Sequence, residues 1–281
     1  MTIIKATLTT SPKREPGCNP HNLNFPGNPK FKKQPTYKDL TKLMFTDGNP
    51  KTDKNKHIEG LDKYLIKRLN LSPAKISGFE TCASRSKGCT KACLHEAGNP
   101  VFMPQKTLGR INRTLLLFKD TAKFISMATR EIRNHEIYCK KHNLKPVIRL
   151  NTTSDVMFEK QKFSFMQNFP NVQFYDYTKH FNRMIKYLKG QLPANYHLTF
   201  SRNEENDTQS TQVLKAGGNV AVVFRDKLPE TYKGFNVVNG DLHDLRFLDD
   251  KNVVVGLKEK LTLNKHGKLD RDNSGFVVDI K

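Results

Sequence analysis

Residues 172–224 carry, in order, Val172-Gln-Phe-Tyr-Asp-Tyr177, Phe181-Asn-Arg-Met-Ile-Lys-Tyr-Leu188, Tyr196-His-Leu-Thr-Phe-Ser201, Thr208-Gln-Ser-Thr-Gln-Val-Leu-Lys-Ala216 and Val220-Ala-Val-Val-Phe224. The first, third and fifth are apolar runs of strand length, whereas the second and fourth read as helices. Gly217-Gly218 ends the second helix, where a left-handed residue closes the last turn. Strand and helix alternating in this way predict parallel neighbours joined by right-handed crossovers.

Working outward, similar runs recur at Val147 to Leu150, Phe235 to Val238, Val253 to Leu257 and Phe276 to Ile280. With Lys75 to Glu80 counted first, seven or eight strands are expected, and the predicted fold is an α/β, TIM-barrel-like domain, a closed or partial β/α barrel. Leu61 to Leu69 reads as a short amphipathic helix closed by Leu71-Ser72-Pro73. After Pro104 a long helix is predicted, because Ile111, Leu115, Phe118, Ala122, Ile125 and Ile132 recur at helical spacing. Thr9 to Lys56 is rich in Pro, Asn, Lys and Gly and holds no period. Residues 1–57 are therefore expected to form an irregular basic N-terminal arm, and residues 58–281 the barrel domain.

The chain of 281 residues has 48 Lys and Arg against 27 Asp and Glu, a formal net charge of +21. Polyanions are its electrostatic partners, and non-specific contact with nucleic acid through the basic surface follows from that balance. The lysines are spread along the whole chain, so the charge alone supplies no readout element. No apolar run approaches the roughly 20 residues that cross a bilayer, and Met1 to Lys5 lacks the pattern of a signal peptide. The expectation is a cytoplasmic protein without a membrane partner.

In that compartment thiols stay reduced, so clustered cysteines read as metal ligands before disulfides. Three of the five lie in Cys82-Ala-Ser-Arg-Ser-Lys-Gly-Cys89-Thr-Lys-Ala-Cys93, a C-x6-C-x3-C loop. Three thiolates this close can converge on one centre. Gly88 permits a tight bend, and Arg85, Lys87 and Lys91 offset the negative charge of a thiolate-bound cluster. A [4Fe-4S] cluster on three cysteines leaves one iron open, or free to take Cys18 or His95 as a fourth ligand. A zinc site made of the three cysteines and His95 is the alternative. Cys139 reads as a plain thiol.

Polar residues gather where the predicted strands finish, the place where the loops of a parallel barrel converge. Asn151, Asp155, Lys179, Ser201, Arg202, Arg225 and Lys258 are the candidate ligand-binding residues, the cations suiting a small anionic substrate or cofactor. Tyr177, Asp241 and His243 are the candidate proton donors or acceptors.

Several stretches together carry a family resemblance: Ile76-Ser-Gly-Phe-Glu-Thr-Cys82, Gly88-Cys89-Thr-Lys-Ala-Cys93-Leu94, Arg149-Leu-Asn151-Thr-Thr-Ser-Asp155, Val172 to Lys179, Tyr196 to Arg202, Asn219 to Arg225, Gly240-Asp241-Leu-His243-Asp244-Leu-Arg246-Phe247 and Ser274 to Val278. From Leu71 onward the chain resembles the bacteriophage gene-product-88-like family. The resemblance implies a viral protein made in the cytoplasm of the infected bacterial host, with a cysteine-bound centre. A looser likeness is to radical S-adenosylmethionine enzymes, which set three cysteines after the first strand of a partial barrel. Their C-x3-C-x2-C spacing differs from this one, and their Gly-Gly-Glu after the second strand is here Asn151-Thr152-Thr153-Ser154-Asp155.

Two functions are therefore expected. The first is an iron-sulfur oxidoreductase, radical or Lewis-acid enzyme acting on a small anion at an open iron, with S-adenosylmethionine as one conceivable cofactor. The second is a nucleic-acid-binding or regulatory phage protein in which a zinc or iron-sulfur site is structural.

Overall fold

Val220–Phe224 is apolar at every position, and four of its five residues are buried, because the sheet it belongs to is covered on both faces. The computed structural model describes residues 37–41, 44–46, 53–95, 104–160, 164–263 and 269–280. Along the chain these form β1 (Phe45–Thr46), β2 (Tyr64–Leu69), α1 (Lys87–Lys91), α2 (Pro104–Lys119), α3 (Thr121–Lys141), β3 (Lys145–Arg149) and α4 (Phe165–Asn168). Then follow β4 (Gln173–Thr178), α5 (Phe181–Leu188), β5 (Tyr196–Ser201), α6 (Asp207–Lys215), β6 (Val220–Phe224), β7 (Thr231–Tyr232), β8 (Phe235–Asn239) and β9 (Val254–Lys258). Last come β10 (Thr262–Leu263), β11 (Leu269–Asp270) and β12 (Val277–Val278).

Ten strands make one sheet in the order β1-β2-β3-β4-β5-β6-β9-β8-β7, with β12 beside β6, and β10 pairs β11 separately. From β2 to β8 every neighbouring pair on this path is parallel. Strands β2 to β6 follow one another in chain order, which is the winding of a β/α barrel. The sheet nonetheless stays open. Antiparallel β1 takes the free edge of β2, and antiparallel β7 takes that of β8, so these two strands do not meet. β5 pairs β6 only as far as Ser201 against Ala221, and β12 occupies the edge beyond, with Val277 against Val223.

Alternation along the strands separates two faces. On one, Leu69, Ile148, Phe174, Leu198, Phe200, Val222 and Val254 bury themselves against Phe124, Met127 and Ile132 of α3, Met184 of α5, and Val213 and Leu214 of α6. On the other, Ile66, Val147 and Tyr175 pack on Leu245, with Phe247 and Tyr64 partly buried beside them. A short 3-10 turn over Arg246–Leu248 lies across this second face, called the inner face below.

Three local readings change. Leu61 to Leu69 is not a helix but a turn leading into β2, because a strand with apolar residues on both faces imitates helical spacing: Leu69 enters one core and Ile66 the other. Lys75 to Glu80 is not a strand but a pair of turns, with Ala74 at φ 50° and Gly78 at φ 86°. The long helix after Pro104 is two, since the Asp120 side chain accepts from Lys123 N at 3.1 Å and caps a new start.

Part of the expected arm belongs to the sheet. Glu131 of α3 accepts Met44 N at 2.7 Å and Phe45 N at 2.9 Å, which holds β1 in place, and both Met44 and Phe45 are buried. Residues 1–36, and Cys18 with them, lie outside the described residues. Among the described residues no helix is long and apolar enough to cross a membrane.

Candidate functional site

The cysteine loop begins where β2 stops and is tied down at successive points. Thr153 Oγ1 donates to Leu71 O at 2.7 Å, Thr81 Oγ1 to Ser72 O at 2.6 Å, and Asp155 N to Thr81 O at 2.7 Å. These bonds set Cys82 against the segment that follows β3; its sulfur lies 3.7 Å from Thr153 O. Ser86 then caps the five-residue α1 by accepting Cys89 N at 3.1 Å.

Glu204, from the loop after β5, clasps this cap. Its carboxylate accepts Gly88 N and Ser86 Oγ, each at 2.7 Å. A β-carbon on Gly88 would sit 2.0 Å from Ser274 Oγ and 2.7 Å from Phe276 Cβ, so only glycine lets the segment before β12 close over the loop.

Burial and a neighbouring thiol act on two of the three sulfurs. Burial pushes Cys93 up to about 12, with Cys89 and Cys82 adding to the rise, and burial likewise raises Cys82, with Asp155 and Cys89 adding. Backbone N–H groups point at two of the sulfurs: Ala74 N at Cys82 Sγ, 3.5 Å, and His95 N at Cys93. The Arg110 guanidinium stabilises a Cys93 thiolate from α2. As the side chains stand, no three His, Cys, Asp or Glu among the described residues are arranged to hold a metal ion. The donor set itself, three clustered thiols with N–H donors to sulfur and a cation behind, matches what a thiolate-bound cluster requires.

His95 has another occupation. Arg110 Nη1 donates to His95 Nδ1 at 2.6 Å, which leaves the ring proton on Nε2. Burial, then the charges of Arg110 and Lys106, push this histidine down to about 3. Cys139 is buried on α3, remote in the chain from the loop.

The residues expected at the strand ends, Tyr177 apart, fall into four groups. Asn151 and Asp155 brace the turn after β3: Asn151 Nδ2 donates to Asp176 Oδ2 at 3.0 Å, and Asp155 accepts Lys179 N at 2.7 Å while pairing Arg183 at 2.8 Å. Arg202 and Arg225 fasten the C-terminal segment, Arg202 to Gly275 O at 2.7 Å and Arg225 to Asp279 and, at 2.8 Å, Asp272 O. Lys179 and Ser201 meet at 2.8 Å beside Phe276, close to the clasped loop. Asp241 accepts Lys258 N at 2.8 Å and lies 3.5 Å from Lys260 Nζ, while His243 Nδ1 accepts Leu245 N at 3.2 Å.

Tyr177 points to the inner face instead, among groups the strand ends did not suggest. Arg149 Nη1 donates to the buried Asp244 at 2.7 Å, and Tyr175 Oη donates to the same carboxylate oxygen at 2.7 Å. The Arg149 guanidinium lies 4.7 Å from the Tyr177 ring centre. Burial pulls Arg149 down, but Asp244 outweighs it and holds the guanidinium above its ordinary range. Arg246 is 1% exposed and lies 3.3 Å from Asp249, a carboxyl that burial raises to about 6 against the pull of Arg246. A pocket of about 260 Å³ opens at the other end of the sheet, before β4 and β5, lined by Gln173, Tyr187, Leu192, Tyr196, His197 and Phe247. None of the expected site residues lines it.

The family model for gene product 88 matches residues 42–280. The chain belongs to the gene product 88 family, the phage family its motifs resemble. Comparison with curated proteins and with solved structures gives no match. In this gene product 88 chain the match begins well before Leu71 and takes in β1 and β2. It lends no support to the looser likeness with radical S-adenosylmethionine enzymes.

Four residues of the gene product 88 site escaped sequence reading. Arg68 of β2, buried on the same face as Arg149, was hidden by reading that strand as a helix. Arg149 had a usable signal, a cation inside the apolar run Val147 to Leu150, which must find a counter-charge when the strand is buried. Arg246 and Glu204 lie in loops, where a single charged residue carries no periodic signal.

Proposed function

We propose that Cys82, Cys89 and Cys93 hold an iron-sulfur cluster of the four-iron type, with one iron left without a protein ligand. The observation that carries this reading is three cysteines on one loop that Glu204 and Thr81 clasp, with the Ala74 N–H aimed at the Cys82 sulfur. Thiols raised by burial do not ionise alone at neutral pH, whereas a metal centre supplies the positive charge that makes thiolates stable there. Glu204 and Thr81 hold the backbone of the loop that carries the three sulfurs. His95 does not serve as fourth ligand, since Arg110 occupies its one lone pair.

When bound, the cluster supplies electron transfer or Lewis acidity at the open iron. The chain's own residues bind and orient a small anionic ligand. Lys179, fixed by Ser201, presents a cation beside the loop. His243 and Asp241, in the segment after β8, are the proton-transfer groups of this reading. The protein acts as an enzyme of redox, radical or Lewis-acid type in the infected host's cytoplasm. S-adenosylmethionine fits this site less well, because Asn151 and Asp155 already bind Asp176, Lys179 N and Arg183.

Protein made and kept without oxygen tests the reading. The expected result is iron and sulfide in matching amounts, a cluster absorption band and a paramagnetic signal on reduction, all diminished in Cys82→Ser, Cys89→Ser and Cys93→Ser. Absence of both iron and sulfide from such material would sink it.

A second reading, nucleic-acid binding, is favoured by the outer side of α3. There Arg130, Arg133, Lys140 and Lys141 are exposed beside Ile137 and Tyr138, which are 60% and 50% exposed. Cations flanking a half-exposed ring, here tilted against His142, suit the backbone and bases of a single strand. Affinity for a single-stranded oligonucleotide that falls steeply with salt, and falls again in Tyr138→Ala, supports it; affinity indifferent to both excludes it.

A further inference from the structure

We propose that the inner face of the sheet binds an oxyanion of the phosphate class between Arg149, Arg246 and Tyr177. Three elements bring these residues together: the end of β3, the 3-10 turn after β8 and the end of β4. Arg246 is 1% exposed and Arg149 is 9% exposed, so neither charge is left to bulk water. Their hydrogen bonding is incomplete. Arg149 Nε, Arg246 Nε and the Tyr177 hydroxyl are buried donors without a hydrogen bond among the described residues, and Arg246 Nη1, also without one, is ion-paired at 3.3 Å with Asp249. An unmet buried donor is costly, the more so when charged, so three in one place beside that ion pair mark where an acceptor belongs.

Arg149 is held against Asp244 and Asp176, and Arg246 against Asp249 and Asp244, so both guanidinium groups stay charged here. A tetrahedral oxyanion accepts hydrogen bonds from several directions at once, and guanidinium groups are the side chains best matched to it. The ligand is either the free inorganic anion or the phosphate head of a larger molecule.

The site needs no metal, so its test is separable from that of the cluster. The full chain, with its iron content measured in the same sample, is titrated calorimetrically with inorganic phosphate and separately with a nucleoside monophosphate, at constant ionic strength. Saturable binding of either probe is expected, and tighter binding of the monophosphate identifies the head of a larger ligand. Tyr177→Phe removes one donor and keeps the ring, and it should weaken binding about tenfold; Arg246→Met should abolish it. Lys215→Gln, on the exposed side of α6, should leave binding as it was. If Arg246→Met fails to fold, Tyr177→Phe alone decides. Binding of neither probe, or equal binding by wild type and Tyr177→Phe, overturns the proposal whatever the iron content proves to be.

Discussion

Arg149 and Asp244 form a buried ion pair, 2.7 Å between Nη1 and Oδ2, that stitches β3 to the segment after β8 across 95 residues of chain. Asp244→Ala leaves a guanidinium and the Tyr175 hydroxyl without their shared acceptor. The expected loss of stability is about 3–5 kcal/mol. Urea unfolding measures it, and the double variant Arg149→Met, Asp244→Ala should recover a large part, since both charges are then gone.

Glu204→Gln should loosen the cysteine loop without unfolding the sheet. The amide keeps one acceptor oxygen, so either Gly88 N or Ser86 Oγ loses its bond, about 1–2 kcal/mol of local stability. Amide hydrogen exchange at Gly88 and Cys89 reads the effect directly. It should quicken there and stay unchanged in β4 and β6.

Gly88→Ala tests the closure from the opposite side. The added carbon meets Ser274 Oγ and Phe276 Cβ well inside contact distance. Rotating Ser274 relieves one clash, but the other requires the backbone of the segment to move, at a cost of about 1–3 kcal/mol. Limited proteolysis should cut between Arg271 and Phe276 faster than in the wild type.

His197 gives the protein a definite response to acid. Burial, with the Arg246 charge adding to it, lowers this histidine from 6.5 to about 4. Below pH 6.5 the unfolded chain takes up a proton that the folded one refuses until about pH 4, so stability falls as the pH falls through that window. In His197→Gln the stability curve between pH 6.5 and 4 should be flatter. Equal slopes in the two proteins would show that the folded histidine is protonated like any other.

The strands after Pro146 were legible because full burial demands continuous apolar runs, and a run such as Val220 to Phe224 has no other reading at that length. Helix α5 was legible to the residue, since Phe181 and Met184 alternate with polar groups over two turns. The N-terminal third resisted. β2 carries apolar residues on both sides and so mimics a helix, and β1 is two residues long and exists only because Glu131 accepts its amides. Ile76 and Phe79 looked like strand residues, yet they pack beside Ile111 and Leu115, with Phe79 stacked on Phe118, from a turn that Gly78 makes possible. At the strand ends the residue types were legible but not their attachments. Arg202 and Arg225 serve the chain's own carbonyl and carboxylate groups, and no local pattern announces such a bond between residues more than 50 positions apart.

The open sheet has a consequence for the molecule in a crowded solution. An unclosed array of parallel strands ordinarily presents two long rows of amide and carbonyl groups on which another chain can template itself. Here β1 and β7, two residues apiece and running against their neighbours, cover the Arg68–Leu69 end of β2 and the Phe235–Asn236 end of β8. At those ends growth of the array from molecule to molecule is denied a foothold.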